Sequence, residues 1–125
     1  MIVGTGIDIA EPARVRAVAE RYGERFLRRV FTPKEIAYCG RKRNKWERYA
    51  ARFAAKEAAF KALGTGWRRG VRWRDIEVTN RPSGQPTLHL SGQAKKFATR
   101  QGVRHISVSL THAEHFVLAQ VIFEK

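Results

Sequence analysis

The sequence predicts an α+β fold: a single small domain in which an antiparallel sheet packs against a long helix. Three observations predict it. Residues 2–9 alternate with a period of two, the pattern of a strand. Residues 44–63 contain neither Gly nor Pro and are rich in Ala, Glu, Lys and Arg, the pattern of a long helix. After Gly64-Thr65-Gly66 the chain changes character and reads as strands broken by turn signals. The 125 residues suit one domain spanning 1–125, with no repeat, linker or low-complexity tract.

The elements follow in order. Ile2–Ile9 places Val3, Thr5, Ile7 and Ile9 on one side and Ile2, Gly4, Gly6 and Asp8 on the other. Pro12 suits the first turn of a helix in which Val15, Val18, Ala19 and Tyr22 recur at helical spacing, and Gly23 ends it. Arg25–Val30 reads as a short second helix. Thr32-Pro33-Lys34-Glu35 is a capping-box pattern, and its helix stops at Gly40. The long helix spans about Asn44 to Leu63. Trp73–Thr79 and Thr87–Leu90 read as strands joined by the turn-rich Asn80–Gly84. Ser91–Arg100 is a helix closed by Gly102, and His105–Thr111 and Phe116–Phe123 form a final hairpin. The order is β-ααα-ββ-α-ββ.

The last strand is apolar on both faces: Val117, Ala119, Val121 and Phe123 on one, Phe116, Leu118 and Ile122 on the other. Such a strand needs cover on both. Either the chain forms a homo-oligomer or its own elements supply the cover.

Composition narrows the classes. Cys39 is the only cysteine, which excludes a disulfide-stapled scaffold and a multi-cysteine zinc site. Twenty-five basic against 11 acidic residues give a net charge of +14, a field that attracts anionic partners without choosing among them. Residues 1–10 have no basic leader and carry Asp8 within the apolar run, and no stretch approaches the length of a membrane span. The expected setting is cytoplasmic.

Two carboxylates stand apart. Most acids, including Glu20, Glu24, Glu35 and Glu47, sit among Arg and Lys, where solvated ion pairs are the ordinary outcome. Asp8 shares a strand face with Gly4 and Gly6, which leave room beside it. It either caps the Pro12 helix or meets something cationic. Trp46, Ala50, Phe53, Glu57, Phe60 and Gly64 share one helix face, so Glu57 interrupts an apolar stripe. It either pairs with Lys61 one turn on or does chemistry. Two such oxygens in a cationic protein suit a hard dication such as Mg²⁺, commonly held by one or two carboxylates plus water and phosphate oxygens.

The segments Gly4-Thr5-Gly6-Ile7-Asp8-Ile9 and Phe53-Ala54-Ala55-Lys56-Glu57-Ala58-Ala59-Phe60-Lys61-Ala62-Leu63-Gly64-Thr65-Gly66 give the chain a specific likeness. Phe31-Thr32-Pro33-Lys34-Glu35 and Ser107-Val108-Ser109-Leu110-Thr111-His112 add to it. Over essentially its whole length the chain resembles the bacterial holo-acyl-carrier-protein synthases, the small single-domain 4′-phosphopantetheinyl transferases. The resemblance implies transfer of the 4′-phosphopantetheine arm of coenzyme A to a serine of apo-acyl carrier protein, with release of adenosine 3′,5′-bisphosphate. It also implies Mg²⁺ and a homotrimer with active sites at subunit interfaces.

By resemblance, Asp8 and Glu57 hold the metal, and Glu57 is the leading candidate for the base. Arg52, Lys56, Lys61, Gly64, Thr65 and Gly66, with Ser109 and His112, are the candidates for holding the nucleotide of coenzyme A. The first helix is implied to dock an acidic carrier protein. Arg14, Arg21 and Arg25 share one side with Arg28 only if the first two helices run on through Gly23. A competing reading is a basic RNA-binding module, motivated by the charge and by Trp67-Arg68-Arg69-Gly70-Val71-Arg72-Trp73-Arg74. It lacks any RNA-binding signature and leaves Asp8 and Glu57 unexplained, so nucleic acid and membrane are not the expected partners.

Overall fold

The computed structural model describes residues 1–66 and 69–125. Its strands are β1 (Ile2–Ala10), β2 (Ile76–Asn80), β3 (Pro86–Leu90), β4 (His105–His112) and β5 (Val117–Glu124). Its α-helices are α1 (Pro12–Tyr22), α2 (Glu24–Val30), α3 (Pro33–Gly40), α4 (Lys45–Leu63) and α5 (Gly92–Arg100). The architecture is α+β, as the order of sequence signals predicts.

Two expectations need correction. The strand read from Trp73 begins only at Ile76, because Trp73–Asp75 forms a 3₁₀ turn held by the Asp75 amide on the Arg72 carbonyl. The strands also divide into two antiparallel sheets. One has the order β1-β5-β4, and β2 and β3 form a separate hairpin.

Local signals set the boundaries. Pro12 opens α1, and Gly23, at φ 64°, ends it. Thr32 Oγ accepts from the Glu35 amide at 3.3 Å, and the Thr32 amide donates to Glu35 Oε1 at 2.9 Å. That is the reciprocal cap the sequence predicts for α3. Gly64, left-handed at φ 80°, ends α4 with its amide on the carbonyls of Phe60 and Lys61.

The core lies between α4 and one face of the larger sheet. All seven alanines of α4 are buried there, opposite Val117, Ala119, Val121 and Phe123. Small residues bring helix and strand very close. A β-carbon at Gly6 would stand 1.8 Å from the Ala58 carbonyl oxygen, and one at Gly4 2.1 Å from that of Ala62. The glycine face of β1 is therefore the inward one. Ile7 and Ile9 point the other way and are 54 % and 55 % exposed. With Leu118 and Ile122 of β5 they line a sheet face that no described residue covers.

The reading of Glu35 also needs correction. Glu35 is not a solvated surface acid but a buried one, paired with Lys56 Nζ at 2.7 Å. Its other oxygen accepts from the Val78 amide at 2.9 Å. The pair ties α3, α4 and β2 together. Glu20 and Glu24 do form the exposed helical pairs expected, with Arg16 and Arg28.

Candidate active site

The close contact at Gly4 and Gly6 fixes how β1 lies along α4, and so fixes what faces what. One step beyond Gly6 on the same strand face is Asp8. One residue before Ala58 on the helix is Glu57. Both side chains line a cavity of about 430 Å³, walled by Phe53, Phe26 and Phe116 and with Glu11 and Arg14 at its polar side. Asp8 and Glu57, 49 positions apart in the chain, thus meet in one pocket as the sequence predicts. Asp8 does not cap α1: no side chain caps that helix, whose N-cap residue is Glu11.

The pocket holds the charged form of Glu57 against its preference. Burial pushes the Glu57 carboxyl above its ordinary range, and the neighbouring Asp8 charge pushes it the same way. Lys61 acts in the opposite sense on Glu57, more weakly. Of the two alternatives for Glu57, the pair with Lys61 is not formed. The Lys61 ammonium donates instead to Asp8 Oδ1 at 3.0 Å and to the Ile7 carbonyl at 2.9 Å.

The donor set fits a hard dication. Two carboxylates from different elements converge, and their mutual repulsion is what such a cation relieves. Among the described residues no group of three or more His, Cys, Asp or Glu side chains gathers into a metal cage. A dication held there would take its remaining positions from water and ligand oxygens, the usual arrangement for Mg²⁺.

The other predicted residues divide into four sets. Arg14 lines the pocket and is exposed, whereas Arg21 and Arg25 are exposed outside it. Gly23 breaks the helix between those two, so a continuous basic ridge through Arg25 and Arg28 does not exist. Gly64, Thr65 and Gly66 follow α4 with both glycines at positive φ, and the Thr65 hydroxyl donates to the Gly66 carbonyl at 2.8 Å.

Ser109 and His112 are exposed on β4, which β5 separates from β1. Ser109 shares the uncovered face with Ile7 and Ile9, the face opposite Asp8. Within this chain the Ser109 surface and the Asp8–Glu57 pocket lie on opposite faces of the sheet.

Lys56 and Arg52 correct the list of nucleotide contacts. Lys56 is fully buried and spends its donors on Glu35 and on the carbonyls of Trp73 and Ile76. Arg52 is 2 % exposed, lies over the Tyr38 ring and donates to Asn80 Oδ1 at 2.8 Å. Neither lines the pocket, and neither is open to a ligand in this chain. Lys and Arg in an Ala-rich helix read as surface residues, and only the fold shows them turned inward. Glu11, Phe26 and Phe116 are pocket residues that sequence reasoning missed. Glu11 carries a faint signal in its place before Pro12; the two phenylalanines carry none.

The RNA reading loses Trp73 as a stacking surface. Trp73 packs inward, stacked on Phe53 with centroids 5.1 Å apart and edge-on to Phe60 at 5.0 Å. Trp67 and Arg68 lie outside the described residues.

Comparison with known proteins meets this geometry. A family model of the 4′-phosphopantetheinyl transferase superfamily matches residues 4–121. A holo-[acyl-carrier-protein] synthase from Solibacter usitatus (strain Ellin6076) is 57 % identical over 124 residues, 99 % of each chain. The crystal structure of the holo-[acyl-carrier-protein] synthase from Neisseria meningitidis superposes with a TM-score of 0.90 at 36 % identity, covering all of both chains. The Helicobacter pylori holo-[acyl-carrier-protein] synthase, solved in complex with coenzyme A, gives 0.84 at 32 % identity and covers 96 % of this chain and 99 % of that one.

Proposed function

We propose, since this chain belongs to the 4′-phosphopantetheinyl transferase superfamily and is an enzyme of the holo-[acyl-carrier-protein] synthase kind, that it carries 4′-phosphopantetheine from coenzyme A to a serine of an apo-acyl carrier protein. The observation that carries the reading is the convergence of Asp8 and Glu57 in one pocket with Arg14 beside them. The serine hydroxyl attacks the phosphorus that bears the pantetheine arm. The bond from that phosphorus to the bridging oxygen breaks, and adenosine 3′,5′-bisphosphate leaves.

In such reactions the protein mainly positions groups and neutralises charge. Asp8 and Glu57 are the residues to hold Mg²⁺, which when bound supplies positive charge to the diphosphate. Glu57, raised toward the basicity a general base needs, takes the serine proton directly or through a water. Lys61, at the pocket's edge, and the backbone amides of Gly64–Gly66 offer contacts for the nucleotide phosphates, together with Ser109 and His112 of a second copy. Arg14 and Arg21, with Arg25 beyond the break, form the basic surface for an acidic carrier.

The uncovered face of β1 and β5 is assigned to the homotrimer interface. The cytoplasmic setting stays part of this reading; among the described residues no helix is long and apolar enough to cross a membrane. The test is a mass measurement. Apo-carrier protein incubated with the chain, coenzyme A and Mg²⁺ gains the mass of phosphopantetheine, and a chelator or Asp8→Asn abolishes the gain. No gain with a competent carrier defeats the proposal.

A further inference from the structure

Lys61 stands where neither ordinary helical pairing nor simple surface exposure puts it. Its ammonium bridges Asp8 Oδ1 at 3.0 Å and the Ile7 carbonyl at 2.9 Å, 53 and 54 positions away in sequence. Among the described residues it is the ion-pair partner of Asp8, and its charge is also felt by Glu57. The Asp8 side chain is 15 % exposed, whereas that of Lys61 is 53 % exposed. Asp8 is therefore fixed by its strand, while Lys61 rests at the end of a flexible four-carbon stem with water on one side.

An ammonium 3.0 Å from a carboxylate oxygen and a dication on the same carboxylate repel each other strongly. We propose that Lys61 competes with a divalent cation for Asp8, and that an anionic phosphate ligand relieves the competition by taking the ammonium. This rests on the reading of Asp8 and Glu57 as the dication site. Its consequence is positive coupling: the metal binds weakly alone and tightly with a phosphate-bearing ligand, because each removes an obstacle to the other. The glycine contacts that hold β1 against α4 keep Asp8 within reach of both cations.

The experiment measures Mn²⁺ alone, titrated into the full chain by calorimetry or electron paramagnetic resonance with no coenzyme A present. Lys61→Met, which keeps the stem and loses the charge, is expected to bind Mn²⁺ at least about fivefold more tightly than the unchanged chain. Lys61→Arg stays near the unchanged chain, and adding Asp8→Asn to Lys61→Met abolishes the gain. Lys61→Gln repeats the measurement should Lys61→Met fail to fold by circular dichroism. Unchanged, weaker or undetectable Mn²⁺ binding by the neutral variants overturns the proposal. So does an equal gain in Lys61→Arg, or a gain that survives Asp8→Asn. Failure of the carrier-modification assay in the unchanged chain counts instead against the assigned reaction, so the two failures are separable.

Discussion

The charged form of Glu57 is held at the expense of the fold. Its carboxyl is raised by burial first and by Asp8 second, so between its ordinary value and the raised one the folded chain binds more protons than the unfolded chain. Stability therefore falls as pH rises through that window and stays reduced above it. Glu57→Gln removes both the desolvation and the repulsion. It is expected to abolish phosphopantetheine transfer while raising the melting temperature by a few degrees at pH 7, a trade common where active sites store unfavourable charge. A scan at pH 4 is expected to show a smaller gain. A melting temperature lowered at pH 7 contradicts the assignment. At this scale the sequence is informative for residues whose oddity is local. Asp8 beside two glycines and Glu57 on an apolar stripe can be found without coordinates. Lys56 and Glu35 cannot, since each is surrounded by an ordinary helical sequence and their partnership exists only across the fold.

That partnership belongs to the elements, because it fastens α3, α4 and β2 through two fully buried side chains. Burial drives the Lys56 ammonium below its ordinary value while Glu35 opposes the shift. Removing one partner leaves a charge stranded. Lys56→Met is expected to cost about 3–5 kcal/mol by urea denaturation, and adding Glu35→Gln is expected to return part of the loss. An effect under about 1 kcal/mol would class the pair with exposed ones. The opposite side of α4 depends on absent side chains. Gly6→Ala drives a methyl into the Ala58 carbonyl, so helix and strand must separate. The expected outcome is a loss at the upper end of the range for overpacking, about 3 kcal/mol or more, with Asp8 withdrawn from Glu57 and transfer activity lost with it. Element boundaries are legible wherever a cap or a glycine marks them, as at Thr32, Gly23 and Gly64. The division into two sheets is not, because strand signals carry no information about which strand pairs with which. Trp73–Asp75 reads as strand because its hydrophobic residue is there to pack on Phe53 and Phe60, not to pair in a ladder.

At the scale of the whole molecule the unresolved quantity is the uncovered sheet face. Apolar periodicity on both sides of β5 is visible in the sequence, and it leaves open whether the chain's own helices cover both. The fold answers half of that question: α4 covers one face, and Ile7, Ile9, Leu118 and Ile122 remain together on the other. An exposed, partly apolar face of this kind, with Gln120 between Leu118 and Ile122, favours association. It also carries Ser109, a residue with no route to the Asp8 pocket of its own chain. Association and completion of the site are thus one proposition with one test. Ile9→Lys places a charge on the open face and leaves the inward face of β1 untouched, so the chain is expected to keep its fold by circular dichroism. Sedimentation is expected to show a trimer for the unchanged chain and a monomer for the variant. Transfer activity is expected to fall by at least about tenfold, recovering in part at high protein concentration as mass action restores the contact. A monomeric variant with full activity would show that one copy suffices. In that case Ser109 and His112 have no part in binding the nucleotide, and the apolar face has a purpose other than building the site.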